Sequence, residues 1–167
     1  MVKKRYDADD AGRFGFDETK NYLTDAAAKL VPNALARRAV AVRVSTDAES
    51  YRVGDTVRIQ VEFKNRLPVP VRVPTPRQRR WGWEVDGILE ATDERRHVSD
   101  APATFQFRAG ERKRFAVEWN GHFRRSAAAD GMDVSRPASP GDHRITAFLA
   151  TTVNGERPED STTVRIV

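Results

Sequence analysis

From Val40 onward the apolar residues recur at every second position, and no other property of the chain constrains its fold as tightly. Val40, Val42 and Val44 alternate with polar or small partners. Val57, Ile59, Val61 and Phe63 alternate with Arg58, Gln60 and Glu62. The same period runs through Val69, Val71 and Val73, through Trp81, Trp83 and Val85, and through Phe105 and Phe107. It continues in Phe115, Val117 and Trp119, in Ile145, Ala147 and Leu149, and in Val164 and Ile166. Successive side chains of a strand point to opposite faces, so each run has one apolar and one polar face. Turn chemistry separates the runs at Val53-Gly54-Asp55, Ala109-Gly110-Glu111, Pro140-Gly141-Asp142 and Asn154-Gly155-Glu156. With no helical period between them, parallel βαβ units are disfavoured, and the expectation is an all-β antiparallel sandwich of about eight strands. Pro68 and Pro70 put their run at a sheet edge, because proline cannot donate to a central ladder.

Upstream the pattern differs. Residues 1–16 are charged, with Val2, Tyr6, Phe14 and Phe16 as the apolar anchors, and read as an extended arm. Residues 17–38 read as a short amphipathic helical segment. Asp17 is its N-cap, and Tyr22, Leu23, Ala26, Ala27 and Leu30 fall on one face. Pro32 either ends that helix or opens a second turn from Asn33 to Arg38. The sandwich occupies 39–167. At 167 residues the chain is one domain long, with a core large enough to need no staples.

The absence of Cys excludes a disulfide framework, a thiolate nucleophile and Cys-ligated metals. No apolar run approaches the ~20 residues of a membrane span, and no hydrophobic stretch follows the positive N-terminus. A cytoplasmic location is expected, with no membrane partner. His97, His122 and His143 lack metal-ligand spacing and read as a surface residue and two strand-end residues. Asp86, Glu90, Asp93 and Glu94 lack a calcium-loop pattern. No serine elbow, phosphate loop or dinucleotide fingerprint is present. The expectation is a non-enzymatic protein with no catalytic residue, cofactor, metal or small-molecule substrate.

Charge is the informative remainder. The formal net charge is +5, with 29 Lys+Arg against 24 Asp+Glu. Residues 41–83 hold 9 cations and 4 acids, and residues 111–125 hold 5 and 2. Coding bias accounts for a preference of Arg over Lys as well as function does. The candidate partner-binding residues are Lys64, Arg66, Arg72, Arg77, Arg79 and Arg80, then Arg112, Lys113, Arg114, Arg124 and Arg125, and Lys3, Lys4 and Arg5 of the arm. Trp81 and Trp83 follow the first cluster directly. Arginine beside aromatic rings suits phosphate contact and base stacking, while two tryptophans on one strand face equally suit a sandwich core. The loop from Ser126 to Pro140 is a second candidate recognition element.

Several stretches resemble a known family. Val61-Glu-Phe-Lys-Asn65 with its Pro/Val sequel, Trp83-Glu-Val-Asp86-Gly, Phe107-Arg-Ala-Gly110-Glu111 and Pro140-Gly-Asp-His-Arg-Ile145 resemble the bacterial intracellular proteinase inhibitor (BsuPI-like) domain. Asn-x-Leu-Pro-Val-Pro-Val and Gly-Glu-Arg-Lys-Arg-Phe resemble an uncharacterised haloarchaeal family more closely. Both resemblances cover about Val40–Val167. They imply an immunoglobulin-like fold and a non-enzymatic binding role, with protease inhibition as a possibility. Soluble proteins of halophilic cells are typically acidic, so a pI near 9.9 in such a setting points to an anionic partner, ribosomal RNA first. Two partners are therefore expected in the alternative: a protein bound by an inhibitor-like or assembly module, or ribosomal or other structured RNA.

Overall fold

The computed structural model describes residues 31–91, 98–126, 133–151 and 157–167. Residues 1–30, including Lys3, Lys4, Arg5 and most of the expected helix, lie outside them, as do Asp93, Glu94 and His97. The second turn after Pro32 is a helix, α1 (Asn33–Ala39), which buries Ala36 and Ala39 and carries Arg37 and Arg38 in its last turn.

All eight alternating runs form strands: β1 (Val40–Thr46), β3 (Val57–Asn65), β4 (Val71–Thr75), β5 (Trp81–Val85), β7 (Ala103–Phe107), β8 (Arg112–Trp119), β11 (Gly141–Leu149) and β12 (Glu159–Ile166). Four shorter or more polar strands join them: β2 (Ser50–Tyr51), β6 (Ile88–Leu89), β9 (His122–Ser126) and β10 (Asp133–Pro137). The expected loop from 126 to 140 thus contains a strand, β10, paired antiparallel with β9.

One layer has the order β1-β3-β8 and the other β2-β12-β11-β5-β6, with two ribbons, β4-β7 and β9-β10. The division of β3 and β8 from β5, β11 and β12 is that of an immunoglobulin-like sandwich. Among the described strands β4 pairs with β7 alone, with Pro74 inside this two-stranded ribbon and Pro68 and Pro70 just before it. β2 pairs parallel with β12, so consecutive strands β1 and β2 close different layers.

The inward side chains of β3 (Val57, Ile59, Val61 and Phe63) are almost fully buried, as are Val85, Ile145, Ala147, Leu149 and Val164 opposite. Phe63 centres an aromatic cluster, with ring centroids 5.5 Å from Phe105, 5.7 Å from Trp81 and 6.0 Å from Phe115. Trp83 is buried and Trp81 half-buried, 4.9 Å from Phe115. Trp83 belongs to the core and Trp81 packs against it, so the two do not form an exposed stacking pair.

The end of β3 is fixed by Asn65, which is 0% exposed. Its amide donates to the carbonyls of Val69 and Arg108, both at 2.8 Å, and its Oδ1 accepts from the Leu67 N–H at 3.0 Å. Its own backbone N–H donates to Glu111 O. One side chain therefore holds the Leu-Pro-Val-Pro segment and the β7–β8 turn together. Removing it leaves buried carbonyls and an N–H without partners, each worth about 1–3 kcal/mol. Asn65→Ala is expected to lower unfolding free energy by about 3 kcal/mol or more in urea titration, and Asn65→Asp, which loses both donors, to be no milder.

Candidate functional site: a basic sheet face

The outward side chains of the β1-β3-β8 layer follow from its register. Rows across the sheet read Ala41–Lys64–Arg112, Arg43–Glu62–Arg114 and Ser45–Gln60–Ala116, with Arg58 opposite Glu118 beyond them. Five cations, Arg43, Arg58, Lys64, Arg112 and Arg114, share this face with two acids, Glu62 and Glu118. Lys64 and Arg112 are directly opposite, a like-charge pairing that costs stability within a sheet.

Glu62 partly offsets the repulsion. Its carboxylate accepts from Arg114 Nε at 2.8 Å and from Arg112 Nη1 at 3.4 Å. The Arg114 hydrogen bond, reinforced by the nearby charges of Arg112, Arg114 and Arg43, holds the Glu62 carboxyl below its ordinary range against the opposing effect of desolvation. Arg58 and Glu118 approach to 3.6 Å while both stay exposed. Exposed pairs contribute about 0–1 kcal/mol, so stability does not explain the arrangement. The small row Ser45–Gln60–Ala116 leaves a hollow of about 640 Å³ bordered by Arg43, Glu62, Arg114 and, at the β1 edge, Asp160.

Of the sequence candidates, Lys64, Arg112 and Arg114 meet on this face. Arg66 is exposed just beyond β3, its N–H bonded to Ala39 O. Lys113 turns to the other side of β8, with Nζ 3.1 Å from Glu111 and 5.6 Å from the Phe107 ring centroid. Arg77 pairs with Asp100, and Arg79 forms a largely buried ion pair with Glu90. Arg72 lies on β4 opposite Gln106, Arg80 is exposed before β5, and Arg124 and Arg125 lie on β9. The 64–80 run is thus dispersed. Arg43 and Arg58 belong to the face but stand isolated in sequence, and only the register reveals them.

The described histidines are structural in their contacts. His122 opens β9, with Nδ1 2.9 Å from Asn120 O. His143 is buried in β11 against the rings of Trp119 and Phe123. Its Nδ1 is 2.7 Å from Asp86 Oδ2 and its Nε2 2.8 Å from Ser139 O. Both partners are acceptors, so both ring nitrogens are engaged as donors. Asp86 Oδ1 also accepts from the Arg144 N–H at 2.8 Å. Asp86 and Gly87 both have positive φ, 50° and 79°, as a two-residue hairpin turn requires. The β5–β6 turn thereby delivers its carboxylate to the end of β11. Among the described residues, no group of three or more His, Asp or Glu could hold a metal ion, and no helix is long and apolar enough to cross a membrane.

Comparison with known proteins gives one family match: residues 28–167 fit the model of a family of unknown function, DUF7974. No curated protein matches. Among solved structures, a CARDB domain from Pyrococcus furiosus in complex with di-metal ions has 16% identity and a TM-score of 0.44, over 77% of this chain and 87% of that one. A β-glucosidase from Listeria innocua in complex with isofagomine has 14% identity and a TM-score of 0.45, over 76% of this chain. One from Erythrobacter marinus has 15% identity and a TM-score of 0.45, over 77%. The chain spans 16% and 15% of these two enzymes.

The His143 geometry has a consequence for pH. Desolvation lowers its pKa, but the Ser139 carbonyl and the Asp86 carboxylate outweigh it, and the net value lies above the ordinary 6.5. A raised folded pKa gives stability that is fully present below the unfolded value and is lost as pH rises through the folded one. The urea midpoint is therefore expected to fall as pH rises upward from about 6.5, and the same titration of His143→Gln to lose most of that slope.

Proposed function

We propose, for a chain that belongs to DUF7974, a family of unknown function, that it is a non-enzymatic binding module docking an acidic protein surface on its basic sheet face. The observation that carries this reading is the set of five cations against two acids on one exposed sheet face. A cationic surface raises the local concentration of anionic partners and speeds their encounter. The inward placement of Trp81 and Trp83 favours a protein over single-stranded RNA, whose recognition depends on exposed aromatic platforms.

The test compares wild type with the combined variant Arg43→Ser, Lys64→Ser, Arg112→Ser and Arg114→Ser, using labelled polyglutamate and purified ribosomal RNA as probes across a salt series. Polyglutamate binding is expected to weaken by about a hundredfold in the variant, with little change in unfolding midpoint. Strong RNA binding that the variant abolishes, without polyglutamate binding, would replace the protein partner by RNA. Equal binding of polyglutamate by both proteins would overturn the assignment of the face.

A further inference from the structure

Resting on that reading, we propose that the partner is held as an added β-strand on the free edge of β8, through an extended segment alternating acidic and apolar residues. Three observations converge on this edge.

The first is the backbone. The Asn65 N–H bonds Glu111 O, and hydrogen-bonded pairs in an antiparallel ladder recur every second residue. The bonded pairs are therefore Phe63/Lys113, Val61/Phe115 and Ile59/Val117. Arg112, Arg114, Ala116 and Glu118 consequently direct their N–H and C=O groups away from β3. Among the described strands, nothing pairs with β8 on that side. The opposite edge of the layer differs, because the outward N–H of Val44 on β1 is taken by Asp160 Oδ2 at 2.9 Å.

The second is the inner face of β8. Phe115 and Val117 are only half-buried, whereas Val61 and Ile59, beside them on β3, are almost fully buried. Between β8 and β5 a cleft of about 350 Å³ opens, lined by Trp81, Phe105, Phe115 and Val98, with the Arg79–Glu90 pair at its side. Apolar side chains of an added strand would enter this cleft.

The third is charge. The outward residues Arg112 and Arg114 would stand beside every second side chain of the incoming segment. Arg112 and Arg114 repel a second copy in any register that sets them against each other. They attract a strand whose outward residues are Asp or Glu, and opposite-charge cross-strand pairs stabilise it.

The experiment measures fluorescence anisotropy of short labelled peptides against the full chain. One peptide alternates Glu and Val. A second has the same composition with Glu and Val in blocks, and a third is the alternating peptide methylated at every second backbone nitrogen. Ala116→Pro removes one outward N–H without touching the β3 ladder, so the protein should fold. The alternating peptide is expected to bind about tenfold or more tightly than either control, and to lose about tenfold on Ala116→Pro. Equal affinity for alternating and block peptides, or unchanged affinity in folded Ala116→Pro, would overturn the added strand and leave the basic face standing. Loss of polyglutamate binding in the wild type would remove the face itself. If Ala116→Pro fails to fold, the methylated peptide decides, and its binding as well as the unmodified one overturns the proposal.

Discussion

The amide of Asn65 sets the geometry on which the charged face depends. It is wholly buried where β3 ends, the Leu-Pro-Val-Pro segment departs and β7 turns into β8. A buried amide must find partners for its donors and acceptor, and only one placement of these three segments supplies them. That placement pairs Asn65 with Glu111 and so fixes the β3–β8 register. A slip of one residue would exchange the faces of β8, turning Arg112 and Arg114 inward and Phe115 and Val117 outward. The basic face is thus a consequence of one hydrogen-bonded side chain at its corner.

Electrostatics then separates pairs that support the fold from charges left over. Arg157 lies 3.5 Å from the Phe148 ring centroid and bonds both Glu84 and Glu159, covering the outer face of the second layer with a neutralised cation. Gly82 makes room for that ring, since a Cβ there would lie 2.6 Å from a Phe148 carbon. The first layer contrasts with it. One carboxylate, Glu62, serves Arg112 and Arg114 and also feels Arg43, and Lys64 lies opposite Arg112. A sheet built only for stability would alternate signs across its rows. The excess is explicable as a binding surface, effective within about a Debye length, ~10 Å at 0.1 M salt.

Periodicity made the sandwich readable because strands buried on one face must alternate, and all eight long runs do. It was silent about β2 and β6, which are two residues long, and about β10, whose Asp-Val-Ser-Arg-Pro has almost no apolar face. For the site, clustering along the chain was a poor guide. Arg77, Arg79 and Arg80 are neighbours in sequence, yet a turn and a buried partner separate their roles. Arg43 and Arg114 are far apart in sequence and flank the same glutamate. Register decides such proximity, and register depends on turn geometry and buried polar groups such as Asn65. The buried His143 was equally hidden, because its partner carboxylate arrives on a hairpin turn 57 residues upstream.

In the proposed binding mode, one edge of the basic layer is closed to indiscriminate pairing and the other is open to a chosen strand. At β1 the outward Val44 N–H meets a carboxylate from β12, so a competing strand would have to displace an existing charge-assisted bond. At β8 the covered side is the ladder with β3, and charge guards the other side. Arg112 and Arg114 exclude strands like themselves by repulsion, a barrier that depends on the sign of the incoming side chains rather than on steric blockage. Such a guard is selective by construction. It weakens as the approaching strand becomes acidic, and the half-buried Phe115 and Val117 then supply the apolar contact that charge alone cannot. Specificity at this edge would come from requiring both properties at a period of two.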